Sequence, residues 1–191
     1  MTAHDVLDGQ TKHRLSVEEF LLLDREGAFG YRSTELFGGE VYYMSPKHRP
    51  HAQAVGDMYF AIRQALAAIG SPLKVLVDIS VRLSDHDVPE PDLVITDAAD
   101  GDGILPLENA LLVIEVSANT LAIDLGYKAE LYANAGVPEY WVVDLKENRV
   151  LMHANPRPDG SGYDGQLDVP FGDDLHAAKI EGLTVSSKGL G

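Results

Sequence analysis

The chain has 191 residues, 45% of them hydrophobic and 24% charged, the composition of a soluble globular protein long enough to bury a real core. Its formal charge is −15, with 30 acids against 15 lysines and arginines, the reverse of what a surface that tracks a phosphate backbone usually carries. It contains no cysteine, which excludes disulfides and thiolate metal sites, and no apolar run approaches the ~18 residues of a transmembrane helix.

The opening MTAHDVLDGQTKHRLS lacks the apolar core of a signal peptide, so residues 1–14 are expected to be flexible and the protein cytoplasmic. Ser16 can N-cap a helix over 17–24, and Glu19, three positions on, completes a capping box. Gly38-Gly39 predicts a tight hairpin turn, with a strand from Glu40 to Met44 closed by Pro46. Over 51–69, Val55, Met58, Ile62, Leu66 and Ile69 recur at helical spacing, and Gly70 and Pro72 mark the end. Residues 73–77 and 79–83 read as β, either one long strand or two with a bend near Asp78. Strands are expected at 92–96 and 110–116, separated by the turn-rich DAADGDG loop. The second, LLVIEV, is apolar at nearly every position and is expected to be central and covered on both faces. A helix capped by Asn119 or Thr120 should run to Ala135, with Gly136 as a left-handed cap and Pro138 as the stop. Strands at 139–144 and 149–154 follow, joined by a KEN turn, then a surface loop over 155–165 and one short strand. No repeat or interdomain linker appears. The expectation is one α/β (α+β) domain over 15–185, a central mixed sheet flanked by helices, with a tail at 186–191.

Three charges break the apolar pattern. Asp92 and Glu115 sit in the two apolar strands, and Lys128 falls on the helical stripe Leu121, Leu125, Lys128, Tyr132, which faces the sheet. If the two strands pair antiparallel, the start of one lies beside the end of the other and the carboxylates meet. Asp124, one turn before Lys128, joins them on the same side. Burying unpaired charge costs several kcal/mol or more, so such a group calls for either a structural ion pair or a bound ligand. Two carboxylates with a lysine suit a hard divalent cation such as Mg²⁺, which lowers the pKa of bound water and offsets phosphoryl charge.

Other combinations carry less. His48 and His51 lack a third ligand for zinc, and Asp97, Asp100 and Asp102 do not have calcium-loop spacing. Tyr140 and Trp141 read as core aromatics rather than a base-stacking platform. There is no GxSxG motif, P-loop or Rossmann fingerprint.

The ordered set of Pro91-Asp92, Glu115-Val116-Ser117 and a lysine one helix later resembles the PD-(D/E)XK nuclease core. With LSVEEFLLL, GGEVYYMSP, GVPEYWVVD and GDDL it is most similar to the Uma-type family of bacterial restriction endonucleases, over most of the chain. The resemblance implies a restriction-endonuclease-like αβββαβ core and Mg²⁺- or Mn²⁺-dependent hydrolysis of DNA. It also implies that Asp92 and Glu115 are metal ligands, helped by the Val116 carbonyl. The lysine usually found two residues after the glutamate is here Ser117, and Lys128 matches the displaced position. Glu40 and His51 match recurrent family residues, as a third carboxylate and an accessory group. DNA is then the expected partner, and a homodimer would supply two centres for cutting both strands. A catalytically inactive nuclease-fold module and hydrolysis of another phosphoester stay open beside this reading.

Overall fold

The structure, a computed structural model, describes residues 6, 7 and 10–190. The expected flexible segment 1–14 lies outside the described residues at 1–5 and 8–9. The remaining part of it holds a two-residue hairpin, β1 (Val6–Leu7) with β2 (Gln10–Thr11). Ser16 caps α1 (Val17–Arg25), and Glu19 closes the capping box. β3 (Thr34–Phe37) and β4 (Glu40–Tyr43) form the hairpin expected at Gly38-Gly39, both of which have positive φ. α2 (Arg49–Ala68) starts two residues earlier than its apolar periodicity suggests, because Pro50 suits the first turn of a helix.

β5 (Lys74–Val77) and β6 (Val81–Arg82) are separate strands in different sheets, divided at Asp78, whose φ is +48°. β7 (Leu93–Thr96) follows, then β8 (Leu105–Pro106), a 3₁₀ turn (Leu107–Asn109) and β9 (Ala110–Ser117). The predicted single helix is interrupted. It runs as α3 (Leu121–Ile123), a π turn (Asp124–Lys128) and α4 (Ala129–Ala135), and ends at Gly136 with φ +90°. β10 (Glu139–Asp144) and β11 (Arg149–Pro156) form the expected hairpin. β12 (Tyr163–Pro170) is a full eight-residue edge strand, beginning in a segment whose glycines and aspartates suggested only a loop. β13 (Asp174–His176) and β14 (Thr184–Ser186) make a small hairpin. The residues expected as a tail fold back: Ser187 bonds Gly172 and Asp173, and Leu190 is buried in the core.

The central sheet has six strands in the order β12-β11-β10-β9-β7-β5. It is mixed, since β9 and β10 pair in parallel and the other neighbours are antiparallel. Strand alternation divides its side chains between two layers. Leu93, Ile95, Leu112, Ile114, Trp141 and Val143 pack with Met58, Ile62 and Leu66 of α2. Val94, Val113, Tyr140 and Val142 pack on the other face with Ala129, Tyr132 and Ala133 of α4. Tyr140 and Trp141 are thus core residues, as expected. Cover on both faces explains why β7 and β9 read as continuous apolar runs. Among the described residues, no helix is long and apolar enough to cross a membrane.

Candidate active site

The β7–β9 register pairs Val94 with Val113 and Leu93 with Ile114. One step further along the same register, Asp92 comes opposite Glu115. Alternation puts both on the α4 face, where the apolar strands run out into a cavity of about 660 Å³. Both carboxylates are buried, and both line that cavity. Each is held differently.

Asp92 is well supplied with donors. Its Oδ2 accepts the Val116 N–H at 2.7 Å and lies 3.1 Å from His51 Nε2, and its Oδ1 lies 3.0 Å from Lys47 Nζ. Burial raises the carboxyl, but His51, the Val116 N–H and Lys47 together outweigh it and hold Asp92 below the usual carboxylate range. His51 reaches Asp92 from the first turn of α2, and its Nδ1 is buried without a hydrogen-bonding partner among the described residues. Lys47 also pairs with Asp78, at the β5–β6 bend. Because the N–H and C=O of one extended residue face the same side, the Val116 carbonyl is directed toward the Asp92 edge as well.

Glu115 is short of donors. Lys128 Nζ at 2.9 Å and the Tyr132 hydroxyl at 3.0 Å both donate to Oε1. Burial pushes its carboxyl up to about 8, with Asp92 and Asp124 adding to the rise and Lys128 opposing it. Burial likewise raises Asp124, whose Oδ2 accepts the Thr120 hydroxyl at 2.5 Å. Lys128 is depressed by burial but raised further by Glu115 and Glu35, and it stays charged. The π turn matters here. It spans Asp124 to Lys128, both of which are buried, and such turns recur at functional sites.

One predicted member lies elsewhere, and two further residues join the rest. Glu40 stands outside the cavity: its side chain is 46% exposed and pairs with Lys12 and the Tyr42 hydroxyl. The acid this hairpin does contribute is Glu35. It is buried in β3, accepts the Glu90 N–H at 2.9 Å, and lies 3.4 Å from Lys128 Nζ. Glu35 escaped sequence reasoning because an acid alternating with apolar residues in TELF reads as solvent-facing. Its signal was Phe37, two residues on and therefore on the same face. Lys47 had no signal in MSPKH at all. Thus Asp92, Glu115, Lys128, Asp124, His51 and Val116 come together, and Glu40 does not. His48, the other histidine considered, is an exposed N-cap residue.

The donor set fits a hard divalent cation. Four buried carboxylates (Glu35, Asp92, Glu115, Asp124) face two ammonium groups, Lys47 and Lys128, and the neighbouring carboxylates Asp92 and Asp124 add to the rise that burial imposes on Glu115. Among the described residues no three His, Asp or Glu side chains converge into a ready-made cage. Two facing carboxylates would leave most coordination positions to water and substrate oxygens, as Mg²⁺ commonly requires.

Comparison with known proteins bears on the fold and the family. A putative nuclease belonging to DUF820 from Anabaena variabilis ATCC 29413 has the same fold, with a TM-score of 0.67 at 14% identity, over 92% of this chain and 97% of that one. No curated protein matches the sequence. The family model of Uma2, described as "Putative restriction endonuclease", matches residues 17–186, and the chain belongs to that family.

Proposed function

We propose that the protein is a Mg²⁺- or Mn²⁺-dependent endonuclease that hydrolyses DNA phosphodiester bonds. The observation that carries this reading is Asp92 facing Glu115 across the β7–β9 register, both lining a cavity that Lys128 also lines. Asp92 and Glu115 would hold the cation, with the Val116 carbonyl beside them. When bound, the cation supplies a water of lowered pKa and neutralises charge on the phosphoryl oxygens.

The protein's own groups do the rest. The Val116 N–H, His51 and Lys47 fix the Asp92 carboxylate, so it needs no reorganisation to take a ligand. Lys128 spends two of its three N–H donors on Glu115 and Glu35 and keeps one for a water or a phosphate oxygen. Its persistent charge lies where negative charge develops as water adds to phosphorus and the P–O ester bond breaks. The proton from water ends on the leaving oxygen, which closes the balance. Cutting both strands of a duplex takes two such centres, which a homodimer would provide.

The test is cleavage of plasmid and oligonucleotide DNA in Mg²⁺ or Mn²⁺ by wild type, Asp92→Ala and Glu115→Ala. The reading expects both variants to be inactive; activity that survives both substitutions removes it. A second reading, a non-catalytic nuclease-fold module, draws on one observation. Lys47, His51 and Lys128 already pair with these carboxylates within the protein. Calorimetry decides between them: the module predicts no Mn²⁺ heat even with oligonucleotide present.

A further inference from the structure

The cavity beside the carboxylates is lined by more carbon than charge. Phe37, Tyr42, Tyr43, Met44, Ile123 and Tyr127 form its outer part. Three of these rings are held half-open: Tyr42, Tyr43 and Tyr127 are 49%, 53% and 50% exposed, although each is large enough to stabilise a core. They are not loose. Phe37 is buried between two of them, with ring centroids 5.6 Å from Tyr42 and 5.5 Å from Tyr127. Arg32 lies over Tyr43 at 5.0 Å, a cation–π contact that places a guanidinium beside the ring. Tyr127 is brought to the cavity by the same π turn that delivers Asp124 and Lys128.

Intact duplex DNA does not explain this rim. A duplex shows phosphates and groove edges, and proteins that grip it do so with positive charge. Here the formal charge is −15, and Lys47, which lines the cavity, is already committed to Asp78 and Asp92. Exposed, fixed aromatic rings have a different natural partner, the π face of an unstacked base. Stacking is nearly sequence-blind and adds affinity without cationic surface. A cavity of about 660 Å³ is of the size that takes a small-molecule ligand, and so a single nucleotide.

We propose that the substrate is single-stranded DNA, including unpaired segments, whose bases stack on Tyr42, Tyr43 and Tyr127 while the adjoining phosphate reaches the Asp92–Glu115 centre. This rests on the reading of that centre as a phosphodiester-cleaving site. A single strand also needs only one centre, so cleavage does not require a pair of copies.

The experiment uses the full chain and a twelve-nucleotide DNA carrying one 2-aminopurine, as a single strand and as a duplex, in EDTA so that nothing is cleaved. Anisotropy gives affinity, and quenching of 2-aminopurine reports stacking. The single strand should bind at least about tenfold tighter than the duplex and be quenched. Tyr42→Ala and Tyr127→Ala should each weaken it by about 5- to 100-fold, and the corresponding Phe variants should bind like wild type. Thermal melts confirm that the variants are folded. Equal affinity for duplex, unchanged binding in both Ala variants, or no single-strand binding overturns the proposal, and a single-stranded RNA that binds over tenfold tighter overturns the choice of DNA. Cleavage in Mg²⁺ is read separately on the same proteins. Asp92-dependent cleavage with tyrosine-independent binding rejects the stacking rim alone. Tyrosine-dependent binding without cleavage rejects the nuclease reading alone.

Discussion

Glu115 and Glu139 are buried carboxylates on adjacent, parallel strands, and their surroundings differ in kind. Glu139 is saturated with donors. Its Oε1 accepts the Trp141 indole N–H at 2.8 Å and the Ala178 N–H at 3.0 Å, and its Oε2 accepts the Lys179 N–H at 2.9 Å. These bonds staple the chain after β13 to the start of β10, which is a structural task. Both donors to Glu115 reach the same oxygen, its carboxyl is pushed up to about 8, and it borders a cavity. Burial of charge alone therefore does not mark a site. A deficit of donors at the edge of a cavity does, because it leaves lone pairs for something the chain itself does not supply.

This contrast is sharpest in paired substitutions. Glu115→Gln should lower metal-dependent cleavage by more than about a hundredfold while leaving the melting temperature unchanged or higher, since a charge poorly served by its surroundings has been removed. Glu139→Ala should do the opposite. It leaves two backbone N–H groups and an indole N–H without their acceptor, at about 2–4 kcal/mol in urea unfolding, with cleavage per folded molecule unchanged. If the two variants behaved alike, the distinction between them would fail.

A smaller effect comes from pH. A folded carboxyl at about 8, against about 4.3 in an unfolded chain, means that the folded state binds an extra proton between those values. The stability conferred by that proton is complete below the unfolded value. It declines as pH rises through the window and is lost above about pH 8. Metal-free protein should lose on the order of 1–3 kcal/mol between pH 5 and 8, followed by thermal melts. Glu115→Gln should flatten the slope, and Mg²⁺ should restore the midpoint at pH 8. Asp92, held low by its donors, runs the other way and loses its contribution only in strong acid, so it does not mask the trend.

The smallest expected effect separates the two hairpin acids. Glu40→Ala should leave both the melting temperature and cleavage unaltered, since its pair with Lys12 is exposed. Glu35→Ala should lower cleavage, because it removes one of the two carboxylates that fix Lys128.

Much of this was legible in the sequence. Two apolar strands flanking a turn-rich loop allowed antiparallel pairing, and on that condition Asp92 and Glu115 were expected to meet; the strands do pair so, and the two come opposite one another. The Lys128 stripe was legible too, because burial on a helix repeats with the turn. The π turn was not, since a periodicity of three and four residues cannot reveal one wider coil. In it Asp124 and Lys128 are buried, while Leu125, on the expected stripe, is only partly so. β12 was missed because an edge strand such as YDGQLDVP has one face in water and carries little apolar signal. Glu35 was missed because its burial, and Lys47 because its pairing with Asp78 and Asp92, is decided by which segments meet there. That is a tertiary fact with no local period. Glu40 shows the converse, a matching position in the sequence whose side chain the hairpin turns to solvent.

The central claim is that the space between Asp92 and Glu115 is a divalent-cation site. Crystals soaked in Mn²⁺ and recorded near the manganese edge test it directly. The account predicts an anomalous peak between the two carboxylates, in reach of the Val116 carbonyl, that disappears in Asp92→Ala. Saturating Mn²⁺ with no peak there, and Asp92 still bound to His51 and Lys47, would contradict it.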